Sequence, residues 1–125
     1  MTPVIALAVL GAGAVGAVAR YLVGLVFARS GGLPWAVLIV NTLGSAIAGW
    51  MLALSVTASV DPSLALVVLT GLCGGLTTFS TWSVDTIQLA QGGKPTQALG
   101  NIVVTLVAGL FAAGGLFALT LLVVS

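Results

Sequence analysis

The stretch "GLCGGLTTFSTWSVD", Gly71 to Asp85, sets the hydroxyls of Thr77, Thr78, Ser80 and Thr81 among the rings of Phe79 and Trp82. A hydroxyl donates hydrogen bonds and an aromatic ring is electron-poor at its rim, so this set suits a small anion. Backbone carbonyls freed in the same stretch suit a hard cation instead. Two further series repeat at every fourth residue: Asn41, Ser45 and Gly49, then Asn101, Thr105 and Gly109. Residues four apart share one face of a helix, so each series is a small or polar stripe on an otherwise apolar surface. The NH2 group of Asn41 is a donor that can replace water around an anion. An intramembrane Asn also serves as interhelical glue, worth roughly 1 kcal/mol.

The elements that must hold these groups follow from composition. Of the 125 residues, 60% are hydrophobic and 4% charged, and the mean hydropathy is +1.32. Soluble domains carry roughly a quarter charged residues, so no soluble surface can be built from this chain. Prolines at 3, 34, 62 and 95 each precede a long apolar stretch, where a missing N–H costs nothing at a helix start. They predict four membrane-spanning helices over about Pro3 to Ala28, Pro34 to Val56, Pro62 to Leu89 and Thr96 to Val124. The connections "RSGGL", "TASVD" and "QGGK" are short, which makes neighbouring helices antiparallel within one domain. None of the first ten residues is basic, so the first helix is expected to be a span and not a cleaved signal.

Within the first helix, "GAGAVGAVARY" fits the dinucleotide pattern G-x-G-x-x-G. That pattern needs an acid about 20 positions on for the ribose, and residues 33–41 contain none. In a membrane helix Ala12, Gly16 and Arg20 instead share a face, and the small residues admit a neighbouring backbone. Arg20 then lies inside an apolar span. Its guanidinium has three outlets: snorkelling to the interface, a set of helix carbonyls, or an anion at a pore mouth.

Two adjacent glycines followed by four hydroxyl residues make poor helix, so the third span is predicted to break near Gly75 to Phe79. A mid-membrane break is tolerated only where the freed backbone is buried in protein or lines a cavity. The chain contains no His and no Glu; its acids are Asp61 and Asp85. A serine hydrolase therefore has no histidine base, and no catalytic residue is assigned. The lone Cys73 is read as a small packing residue.

Taken in order, "GAVARY" on helix one, "NTLGS" on helix two and "GGLTTFSTW" on helix three resemble the Fluc (CrcB) family of fluoride channels. The resemblance spans the whole chain. It implies an all-α integral membrane protein with four helices, the third broken in mid-membrane. It also implies a dual-topology dimer whose subunits pack antiparallel about a two-fold axis in the membrane plane, with two fluoride pores. By the same resemblance, backbone carbonyls of Gly74 and Thr77 from both subunits hold a structural sodium ion. The pore falls to Asn41, Phe79, Ser80, Thr81, Trp82 and Thr105, with Arg20 at a vestibule or in a structural role. The resemblance further implies passive flow, in which fluoride that entered as neutral HF leaves the cytoplasm under the membrane potential and resistance follows.

Two positions depart from the family pattern. Trp82 stands where Phe is usual, adding an indole N–H donor and bulk. Asn101 stands where Tyr is common. Arg29, Lys94 and the nearby Arg20 share one side of the membrane, whereas Asp61 and the termini share the other. The positive-inside rule then favours external termini, a bias that leaves open an oppositely oriented paralogue as partner in place of an identical subunit. The alternative from another class is a proton-coupled small multidrug-type transporter. It needs a titratable intramembrane carboxylate, for which only Asp85 is available, and that residue is expected to cap or pair near the helix end.

Overall fold

The computed structural model describes residues 2–124, and among them every regular element is helical. Helix α1 (Pro3–Val26) starts behind Thr2, whose Oγ1 accepts from the Ile5 N–H at 3.4 Å. Helix α2 (Trp35–Val56) starts one residue after Pro34. Helix α3 (Pro62–Leu66) is capped by Asp61, whose carboxylate accepts from the Ser63 N–H at 2.8 Å; that bond holds its carboxyl below the usual carboxylate range. A π-helical segment, Val67–Cys73, and α4 (Gly74–Leu76) complete the first half of the third span. Helix α5 (Phe79–Gln91) forms its second half, and α6 (Pro95–Val124) follows. Four helical stretches are long and apolar enough to cross a membrane: Pro3–Val26, Trp35–Val56, Pro62–Gln91 and Pro95–Val124.

The third span is interrupted inside the interval the glycines and hydroxyls predict. Thr77 (φ −84°, ψ 157°) and Thr78 (φ −148°, ψ 123°) are extended. The interruption changes what the span packs on: its first half lies against α1 and its second half against α6, while α2 runs along α6 and against the first half. The π segment leaves no mark in hydrophobic periodicity, since its residues are mostly apolar, like those around it, and only the backbone winding differs.

Close approach between backbones explains the small residues. Gly16 packs on the backbone of Leu72, Gly75 and Leu76, and Gly13 lies against Gly71, so the stripe on α1 is a seam with the third span. On α2, Gly44 meets the Thr77 side chain and Gly49 meets the Ala113 backbone. The buried apolar side chains Val37, Val40, Met51 and Ala53 all belong to α2, which makes it the central helix. Leu7, Leu10, Val26, Leu110, Phe111 and Leu122 are exposed on α1 and α6, as surfaces meeting lipid or another subunit must be.

Candidate functional site

Breaking a helix in a membrane strands backbone donors and acceptors, which must find partners within the protein or face a cavity. The α2 stripe provides one. Asn41 Oδ1 accepts from the Thr78 N–H at 2.8 Å, and Asn41 Nδ2 donates to the Thr78 carbonyl at 3.0 Å. An uninterrupted helix would direct that Thr78 N–H to the Gly74 carbonyl, so the same bond frees Gly74. Arg20 supplies the next partner, donating from a guanidinium nitrogen to the Thr77 carbonyl at 3.2 Å. Of the three outlets open to Arg20 from sequence, the structure uses a carbonyl of the break. The Thr77 hydroxyl donates back to Cys73 O at 2.9 Å. Thr78 then caps α5: its Oγ1 accepts from the Thr81 N–H at 3.2 Å and lies 3.1 Å from Thr81 Oγ1 and 3.3 Å from Ser80 Oγ.

Two cavities meet at this junction. One, of about 490 Å³, is lined by Asn41, Phe79, Trp82 and Thr105 together with Ser45, Thr77, Thr78 and Gly109. Phe79 and Trp82 stand side by side there, ring centroids 5.2 Å apart and planes at 54°. Phe79 is 76% exposed, open to whatever covers this face. Thr105 is buried, and its Oγ1 has no hydrogen-bond partner among the described residues. The other cavity, of about 380 Å³, holds Arg20, Thr81 and Asp85. Thr78 lines both. The structure thus divides the residues expected at the pore and its vestibule: Asn41, Phe79, Trp82 and Thr105 share the first cavity, Arg20 and Thr81 share the second, and Ser80 is absent from both linings.

Nδ2 of Asn41 carries two hydrogens, one of which goes to Thr78, so one donor remains. The Trp82 indole N–H is also engaged, donating to the Asn101 carbonyl at 3.3 Å. The free N–H that Trp82 offers on sequence grounds is therefore used within the protein. Thr78 carries a capping role that sequence reasoning did not assign it. A Thr three residues before Thr81 at a helix start is a capping signal that could have found it.

Gly74 and Thr77 bear on the expected sodium ion. Gly74 is exposed, a Cβ added there would meet nothing within 4 Å, and the donor that would occupy its carbonyl is diverted to Asn41. The Thr77 carbonyl accepts one hydrogen bond from Arg20 and has a second lone pair. Neutral carbonyl oxygens are the donor set a hard monovalent cation takes, and among the described residues no group of three or more His, Cys, Asp or Glu side chains could hold a metal. The two carbonyls fit the donor set of such an ion.

Comparison with known proteins adds the following. The model of the family described as CrcB-like protein, Camphor Resistance (CrcB), matches residues 7–116. A protein of Yersinia pseudotuberculosis named fluoride-specific ion channel FluC 1 is 47% identical over 106 residues, covering 83% of this chain and 84% of its own length. The fluoride-specific ion channel FluC of Gloeobacter violaceus is 42% identical over 103 residues, covering 80% and 82%. A protein of the same name from Methanococcus aeolicus is 37% identical over 90 residues, covering 72% and 73%.

Proposed function

The chain belongs to the CrcB family, and on that footing we propose that it is a fluoride-selective channel through which fluoride leaves the cytoplasm passively, down its electrochemical gradient, conferring fluoride resistance. It is a multi-pass membrane protein whose named relatives are channels. We place it in the cell membrane. Those relatives lend no support to a proton-coupled drug transporter.

The observation that carries the proposal is the first cavity's lining. It offers one remaining Asn41 N–H, an unpartnered Thr105 hydroxyl and two aromatic rims, with no fixed cation among its side chains. Fluoride sheds water only where close donors replace it, and it moves on only where none holds it too tightly. Neutral donors and ring edges meet both demands better than a lysine or arginine would. Arg20 stands in the adjoining cavity together with Asp85, so its guanidinium lies beside the groove and not in it. Ser80 and Thr81 contribute hydroxyls around the junction.

The functional unit in this proposal is an antiparallel, dual-topology dimer, either of identical subunits or with an oppositely oriented paralogue. Its second subunit covers the exposed Phe79 and Gly74. Carbonyls of Gly74 and Thr77 from both subunits hold a sodium ion, which supplies positive potential at the centre when bound.

The direct test is fluoride efflux from liposomes holding the purified protein, read by electrode beside a chloride control. Fast fluoride flux without matching chloride flux is expected, and failure both alone and with a co-expressed paralogue would overturn the proposal. Thr105→Val separates stability from conduction. Valine keeps the volume and removes a buried hydroxyl that has no partner among the described residues, so the melting temperature is expected to hold or rise. Fluoride flux is expected to fall by about 3- to 10-fold, the scale on which loss of one ion-facing hydrogen bond acts.

A further inference from the structure

A closed ring of three hydrogen bonds links α5 to α6 beside the first cavity. The Trp82 indole N–H donates to the Asn101 carbonyl at 3.3 Å. Asn101 Nδ2 donates to Thr86 Oγ1 at 2.9 Å. Thr86 Oγ1 in turn donates to the Trp82 carbonyl at 2.8 Å, which returns the ring to its starting residue. Asn101 is 2% exposed, one of the most deeply buried side chains in the chain. In so apolar a setting buried donors are retained only if paired, and here Asn101 Nδ2 and the half-buried Thr86 hydroxyl are both paired within the ring.

We propose that Asn101 and Thr86 are positioning residues for Trp82, fixing the indole so that it presents ring carbons and not its N–H to the groove. The geometry explains why both are needed. Thr86 lies one turn beyond Trp82 on the same face of α5, and it anchors the Asn101 side chain. Asn101 in turn holds α6 at the depth where its own carbonyl meets the indole N–H. With that N–H engaged, Trp82 offers an anion only its electropositive rim, as the neighbouring Phe79 does at 5.2 Å between ring centres. An indole free to turn would present a true donor and hold the anion longer. The ring of bonds thus sets the strength of one contact along the path without touching the ion. This inference rests on the channel reading for what the aromatic does, but not for how it is held.

The experiment is a double-mutant cycle on fluoride flux with a second, optical readout. Thr86→Val keeps the volume and removes the hydroxyl, and flux is expected to change by about 3- to 10-fold, whereas Thr86→Ser restores wild-type behaviour. In a Trp82→Phe background the same Thr86→Val change is expected to matter by less than about 2-fold, because its action runs through the indole. Equal factors in both backgrounds would make Thr86 merely structural and overturn the proposal. Asn101→Leu, which removes the other donor while filling space, repeats the cycle if Thr86→Val does not fold. For the optical arm, Trp35→Phe and Trp50→Phe leave Trp82 as the sole indole. Its acrylamide quenching is expected to rise by about 2-fold on adding Thr86→Val, since a released ring samples more of the groove. Unchanged quenching would overturn the tether. Should the wild type carry no fluoride, the channel reading falls while the quenching arm still decides how Trp82 is held.

Discussion

Asn41→Asp is expected to lower fluoride flux by at least about 100-fold while leaving half of the clamp on the helix break in place. The carboxylate keeps an oxygen where Oδ1 accepts the Thr78 N–H at 2.8 Å. At the other position an oxygen replaces Nδ2, which donates to the Thr78 carbonyl at 3.0 Å, so two acceptors now face each other. The larger effect is on the ion. Asn41 lines the groove beside Phe79, Trp82 and Thr105, and a charge there repels an anion about 4 Å away by roughly 4 kcal/mol at an effective dielectric constant of 20. Such a barrier corresponds to roughly a thousandfold in rate, so even a heavily screened version reaches the stated loss. Asn41→Ala gives the contrasting outcome. It strands a buried N–H and a buried carbonyl at about 1–3 kcal/mol each, and is expected to lower the melting temperature more than the Asp variant does. Flux and melting measured together on both variants separate the two duties of Asn41. An Asp variant that conducts like wild type would remove this residue from the path.

The spans and the break were legible because each has a local physical cause. Prolines 3, 34, 62 and 95 lie at or beside the four helix starts, and the third span becomes extended at Thr77 and Thr78, within Gly75 to Phe79. The small-residue stripes were legible as seams, and Gly16 and Gly49 do meet neighbouring backbones. What the residues do at the junction was less so. Asn41 reads as a donor to an ion, but its amide first pairs both polar groups of Thr78, a partner 37 positions away that no local pattern announces. Arg20 reads equally well as a snorkelling side chain or a carbonyl donor, because the choice depends on where a break 57 residues downstream comes to rest. Trp82 and Asn101 each stand out singly against the family pattern. Only their apposition shows that they are hydrogen-bonded to each other.

Gly75→Ala and Gly74→Ala, one residue apart, are expected to fail in different ways. A Cβ on Gly75 would be driven into the Gly13 backbone of α1, and backbone cannot rotate aside as a side-chain end can. The seam between α1 and the third span would have to open. That displaces Gly16 from Leu72 and Leu76 and carries Arg20, one turn further along α1, away from the Thr77 carbonyl. Overpacking of this kind costs about 1–3 kcal/mol in an adaptable core and more where backbone meets backbone, so Gly75→Ala is expected to lose the folded subunit altogether. Gly74 is the opposite case, since a Cβ there meets nothing within 4 Å in the subunit. Alanine also suits helix better than glycine by about 1 kcal/mol, so the subunit itself is expected to hold or gain stability. Any loss in Gly74→Ala must then come from what packs on that exposed surface. If a second subunit and a shared cation lie there, Gly74→Ala is expected to shift detergent-solubilised protein from dimer to folded monomer and to abolish flux. Size-exclusion chromatography with light scattering and helical circular dichroism distinguishes the two failures. A Gly74→Ala protein that stays dimeric and conducts would remove Gly74 from the interface, while a well-folded Gly75→Ala protein would contradict the seam itself.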